Sequence, residues 1–251
     1  MYGQQITVPE QMKNNPSIFN NTGERFLLQN RIPLTLVMEP LTHFNNNNNN
    51  YTEFKIMLGR DIIIPPSTTV LDAHNSFGQS ITGGLATGDI YTPPNNGTYI
   101  SYVFPPQSNP NDPLPPPTPV QTTINAIGST LKVDRIYDVY IESITTHNSL
   151  PNTSKNTMAF MLQINDWNID NNTNMTNMTK SIIIPNETTA AGATNTHKAK
   201  KLNYLTHLTP DTITSMSGKI SFLNDTTIFD TGDLRNIRLS IELVLIPRNK
   251  N

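Results

Sequence analysis

The sequence predicts an all-β protein, an antiparallel β-sandwich with little helix, and three observations lead there. Apolar runs of strand length recur along the chain, rich in Ile, Val, Thr and Tyr and bounded by Asn, Gly and Pro. The 20 prolines cut short most stretches that would otherwise continue as helix, because the ring clashes with the preceding turn and lacks an N–H. The last run alternates, with Ile237, Leu239, Ile241, Leu243 and Leu245 on one parity and Arg238, Ser240, Glu242, Val244 and Ile246 on the other. At 251 residues the chain has room for two small domains. Sandwiches often reach this length as one unit, so the expectation is a polar arm over 1–23 and a single domain over 24–251.

The elements follow in order. ERFLLQNRIPLTLVMEP reads as strands near 25–29 and 32–38, with Pro33 and Pro40 opposing a helix. Asn45 to Asn50 is too polar to bury and reads as a loop tip. FKIMLGRDIIIPP gives a strand pair or one bent strand, with Gly59 as a bulge and the prolines ending the pairing. A Gly-rich stretch to Gly88 follows. The Pro-rich segment 105–119 runs extended, as a stiff loop within the domain or a seam between two halves.

The second half is more regular: TLKVDRIYDVYIESITT, TMAFMLQINDWNI, KSIIIPNE, KLNYLTHL, GKISFLN and NIRLSIELVLIPR each have strand length and β-rich composition. In the first, Ile136, Asp138, Tyr140, Glu142 and Ile144 share a parity, which predicts a half-wet face opposite Tyr137, Val139, Ile141 and Ser143. Thr209, Pro210 and Asp211 are the one good helix-start signal, with room for a turn or two before Gly218. Trp167 reads as a core anchor. The expected total is ten to twelve strands, which fits a two-sheet sandwich of the jelly-roll type with long excursions between strands.

Composition bears on function mainly by exclusion. Lys+Arg 17 against Asp+Glu 19 gives a formal charge of -2, so no global field draws the chain to nucleic acid or an anionic membrane. With no cysteine there are no disulfides or thiolate sites, which fits a reducing compartment. The opening MYGQQITVPEQMKNNP reads as no signal peptide, and no apolar run reaches the length of a membrane span.

Candidate chemistry is sparse. His43, His74, His147, His197 and His207 fall in separate segments without metal-ligand spacing. GQSITGGLATG, from Gly78 to Gly88, lacks the closing Lys of a phosphate loop and reads as a flexible loop. Asp61, Asp72, Asp134, Asp138, Glu142 and Asp166 have no spacing that defines a glycosidase pair or a calcium loop. No catalytic, cofactor or metal residue is therefore assigned. The densest basic patch, His197, Lys198, Lys200 and Lys201, is either a solvated loop entering a strand or a contact with an acidic neighbouring subunit. Asn-x-Ser/Thr acceptors, among them Asn50, Asn152, Asn177, Asn186 and Asn224, read mostly as unmodified.

DRIYDVYIESITT (134–146), MAFMLQINDWNI (158–169), IIIPNE (182–187), HKAKKLNYLTHLTPDTITSMSGKISFLND (197–225) and RLSIELVLIPR (238–248) carry a likeness. Over these stretches the chain resembles small jelly-roll capsid proteins of nucleocytoplasmic large DNA viruses, particularly the extended mimivirus group. The resemblance implies a non-enzymatic capsid component, a penton or minor capsid protein in the virion, assembled in the host cytoplasm. It further implies contacts with other capsid subunits, including a double jelly-roll major capsid protein, and a homopentamer if the chain is a penton. Two other readings compete. A carbohydrate-binding module would need an exposed aromatic platform, for which Tyr91, Tyr99 and Tyr102 are the candidates. A cupin-like enzyme would need a convergent histidine and carboxylate cluster.

Overall fold

The alternation that marks the final run places it at the centre of the molecule. The computed structural model describes residues 31–94, 98–113, 115–123, 129–165, 167, 169, 173–198 and 204–248. The expected arm over 1–23 and strand near 25–29 lie outside these residues. In chain order the strands are β1 (Ile32–Met38), β2 (Glu53–Met57), β3 (Ile62–Ile63), β4 (Thr68–Val70), β5 (Leu85–Ala86), β6 (Ile90–Tyr91), β7 (Thr98–Val103), β8 (Thr118–Thr123), β9 (Leu131–Val133), β10 (Tyr137–His147), β11 (Ala159–Ile164), β12 (Ile182–Pro185), β13 (Thr194–His197), β14 (Tyr204–Leu208), β15 (Asp211–Ile213), β16 (Ser215–Phe222) and β17 (Arg238–Pro247). Helix is confined, among the described residues, to one turn at Pro40–His43 and two short 3-10 turns.

Two antiparallel sheets form the body. In the first, β17 lies between β1 and β10, and the far edge of β10 is shared by β14 at one end and β13 at the other. In the second the order is β12, β11, β16, β2. Side chains from both sheets meet in one apolar cluster, including Leu36 of β1, Phe54 of β2, Phe160 of β11, Phe222 of β16 and Leu239 of β17. Ile237, Leu239, Ile241, Leu243 and Leu245 are all buried, and Val244 makes the end of β17 two-sided, as its sequence foretells. Trp167 is buried in the same cluster.

Strand β10 departs from simple alternation. Its pairing with β17 passes from Ile141↔Leu243 to Ser143↔Glu242, so Glu142 is an extra residue. Such a bulge reverses the parity of everything beyond it. Tyr137, Val139 and Ile141 face the core before the bulge; Ile144 and Thr146 do so after it. The expectation that Ile144 shares the half-wet face is corrected accordingly.

Three other local readings change. Thr209, Pro210 and Asp211 start no helix: Asp211–Ile213 pairs with Leu131–Val133, a geometry that rests Ile213 and Leu131 against the main core. Gly59 makes a turn rather than a bulge. Its φ is +67°, and a Cβ there would fall 2.4 Å from the backbone nitrogen of Ser129. The Asn-rich segment is a loop tip of defined type: Asn48 and Asn49 have φ of 53° and 58°, and Asn50 N–H donates to the Asn47 carbonyl at 2.9 Å. Two successive positive φ values make the mirror-image turn that matches strand twist, and Asn tolerates that conformation better than most residues.

Between β2 and β9 the chain leaves the sandwich and builds a lobe. Ile64, Val70, Ala73, Ile81, Leu85 and Tyr91 form a second, smaller cluster, with Leu41 and Ile62 packed against it. The Gly-rich stretch is thus a series of tight turns that place Ile81 and Leu85 in this cluster. The Pro-rich segment is the tip of a hairpin, joining β7 to β8, and Pro119 itself lies within β8. β8 is the edge of the sheet ordered β5, β4, β7, β8, a position that tolerates a residue without an N–H.

Candidate interaction surface

A small set of charged and imidazole side chains joins the lobe to the sandwich. Glu39, buried, accepts from Arg238 Nε at 2.9 Å and from Ile90 N–H at 2.7 Å. Arg238 also reaches the carbonyl of Gly88 at 2.8 Å. His43 is buried and receives Glu39 N–H on Nδ1 at 3.0 Å, which leaves Nε2 to donate to Asp61 Oδ2 at 3.0 Å. Asp61 is held in turn by the Thr92 hydroxyl at 2.7 Å. Arg235 binds Asp89 at 3.1 Å and the Gly84 carbonyl at 2.8 Å. The His43–Asp61 pair therefore fastens the lobe.

His197 corrects part of the expected contact patch. It is completely buried, because the last residue of β13 points between the sheets with its ring edge-on to Phe160. Glu187 N–H donates to Nδ1 at 2.8 Å, and Nε2 meets Thr146 Oγ1 at 2.9 Å. From Thr146 a hydroxyl chain continues to Ser149 and Thr188, each step 2.9 Å. Burial pushes the imidazole below its ordinary pKa, outweighing the nearby Glu187 charge. Lys198 is exposed, whereas Lys200 and Lys201 lie outside the described residues. His74, His147 and His207 are exposed and apart. Among the described residues no three His, Asp or Glu groups converge as a metal site.

The acids are equally dispersed. Asp134 pairs with Arg135 and Tyr137, whose donors hold its carboxyl below the usual range. Asp138 binds Arg248, and Glu142 binds Arg31. Asp72 is exposed, and Asp166 lies outside the described residues. Of the acceptor asparagines, Asn186 is buried and donates to the carbonyls of Leu150 and Thr157. The expected aromatic platform does not form from Tyr91, which is buried in the lobe cluster. Tyr102 is half-buried, and the side chain of Tyr99 falls outside what is described.

Two surfaces remain that the sequence reading missed. One is an open groove of about 890 Å³ on the outer face of the second sheet. Lys55, Gln163, Asn165, Ser217 and Lys219 alternate there with buried residues, and Phe77, 37% exposed, stands at its wall. Amides brace that wall: Asn75 caps Phe77 and Gln79 N–H groups, and Gln79 bonds Asn45. The other surface is the β7–β8 hairpin, where Ile100, Val103, Phe104 and Val120 are all exposed. Between Asp89 and Lys132 the only charged residue is Asp112. The signal was present in TYISYV and TPVQTT, two uncharged β-prone runs flanking the prolines.

Comparison with protein-family models, curated proteins and solved structures gives no match.

Proposed function

We propose that the chain is a non-enzymatic structural subunit of an icosahedral viral capsid, built as a single jelly roll and acting as a penton or minor capsid protein. The observation that carries this reading is the strand order. Counting sandwich strands alone, the first pairs with the last and the third lies on the last strand's other side, with the sixth position divided between β13 and β14. In the other sheet the second pairs with the next to last, followed by the fourth and the fifth. Apart from the hairpin of the fourth and fifth strands, successive strands alternate between sheets, an order that supports the wrapping of two Greek keys found in capsid and lectin domains and cupins. Within that group, the likeness of 134–248 to jelly-roll capsid proteins favours the capsid role. The dispersed histidines and acids speak against the cupin reading.

A long lobe and hairpin on a rigid sandwich suit a shell, where many repeated contacts replace one strong site. The proposed neighbours are other capsid subunits, including a double jelly-roll major capsid protein. Mass spectrometry and reconstruction of purified virions test the proposal: the chain is expected at a symmetric position in fixed stoichiometry, and its absence from particles overturns it. The groove favours a second reading, a carbohydrate-binding sandwich used for surface attachment, since amides and hydroxyls beside one exposed ring suit sugar hydroxyls and a C–H face. A glycan retained by the protein and released by Phe77→Ala would favour that reading.

A further inference from the structure

We propose that the β7–β8 hairpin is a self-association arm, whose β8 edge, unpaired among the described residues, pairs antiparallel with β8 of a second copy across a two-fold axis. Three observations carry this. The edge carries no charge: Thr118–Thr123 reads TPVQTT, without the lysine or inward charge that usually guards such a strand, and Pro119 is its one guard. The apolar side chains beside it are exposed on both faces of the hairpin. Ile100 is 46% exposed on the face shared with Tyr102 and Pro119, and Val120 is 40% exposed on the opposite face with Val103. Finally, Ser101, buried between them, bonds the Val120 carbonyl and approaches the Thr122 hydroxyl, so β8 is held in extended form before any partner arrives.

The neutrality of the arm selects the occupant. A nucleic acid, an acidic peptide or a strongly basic partner would find no complementary charge between Asp89 and Lys132 apart from Asp112 at the tip. An identical arm needs none, because backbone donors and acceptors of one edge complement those of its two-fold mate. Pro119 offers no N–H to the open side of the edge, and alternate residues point to the same side, so the donors left for a partner are those of Gln121 and Thr123. This inference does not rest on the capsid reading: a chain found in virions can lack the arm contact, and a dimer can form whatever the biological setting.

The test uses the full chain in sedimentation velocity over a range of concentrations. The wild type is expected to shift from monomer to dimer. Val120→Lys, which sets like charges near each other across the axis, is expected to weaken that dimer by about tenfold or more, with an unchanged melting curve at concentrations where both proteins are monomeric, because the side chain is exposed. The absence of native cysteine permits a second arm of the test. Thr118→Cys, Val120→Cys, Gln121→Cys and Thr122→Cys, made singly, should give a disulfide dimer that peaks at the position nearest the axis, since only there does a residue face itself. A monomer at every concentration overturns the proposal. So does an oligomer indifferent to Val120→Lys, or crosslinking that is equal or absent at all four positions.

Discussion

Among the described residues, the sandwich is held between its sheets by interdigitated Phe, Leu and Ile from eight strands, whereas the lobe between β2 and β9 has six buried residues in its cluster and is fastened by Glu39, Arg238, His43 and Asp61. The difference follows from how much apolar surface each can remove from water. Stabilisation scales with buried apolar area, and strands of two or three residues such as β3–β6 remove little. A small lobe then depends on polar links to a larger body, and those links are directional: they fix where the lobe sits. The sandwich supplies stability, and the lobe supplies a placed surface at the price of local weakness.

The largest effect that would break this comparison is in the cores. Leu239→Ala, at a fully buried position in the middle of the first sheet, should cost about 2–5 kcal/mol and lower the denaturation midpoint of the whole protein. Leu85→Ala removes the same atoms from the lobe. It should instead raise hydrogen exchange locally around residues 62–91, with a much smaller change in the global midpoint. Equal losses of global stability in the two variants would show that lobe and sandwich unfold as one unit.

The same contrast governs what the sequence disclosed. β1 and β17 were legible because each lies in one register with one dry face, so pattern and fold coincide. The parity of Ile144 was not, because the bulge at Glu142 exists only in the pairing of β10 with β17. Thr194–His197 and Asp211–Ile213 carry no apolar pattern; they are strands because β10 and β9 offer partners. His197 looked like part of a basic surface since its neighbours in sequence are lysines, while its neighbours in space are Phe160 and Thr146. The dispersal of the histidines was readable and stays so in space. The hairpin was half visible: its prolines announced a stiff loop, but the exposure of its flanking strands depends on β8 having no further neighbour among the described residues.

A middle-sized effect should appear at the links. Arg238→Ala leaves the Glu39 carboxylate buried without its cation. Breaking a fully buried pair is costly, but the arginine is 43% exposed on its side chain, so water can replace part of the interaction. The expected loss is about 1–2 kcal/mol. Faster amide exchange at Ile90, whose N–H rests on Glu39, should accompany it. A loss of stability with exchange at Ile90 unchanged would mean that Arg238 supports the sandwich and not the lobe.

The smallest effect separates the two kinds of polar network by pH. His197 belongs to the sandwich, and its partners there are the hydroxyls of Thr146, Ser149 and Thr188, the Glu187 N–H and the Phe160 ring edge, with the Glu187 charge nearby. Burial lowers the folded-state pKa, so the unfolded chain binds this proton more readily than the folded one. The contribution is therefore complete above the unfolded imidazole value of 6.5 and falls as pH drops below it, towards the folded value. One proton limits the slope to about 1.4 kcal/mol per pH unit. Urea midpoints measured from neutral to mildly acidic pH should decline in the wild type and decline less in His197→Gln, even though the substitution lowers stability at neutral pH. Parallel slopes in the two proteins would show that His197 is not the source of the acid sensitivity.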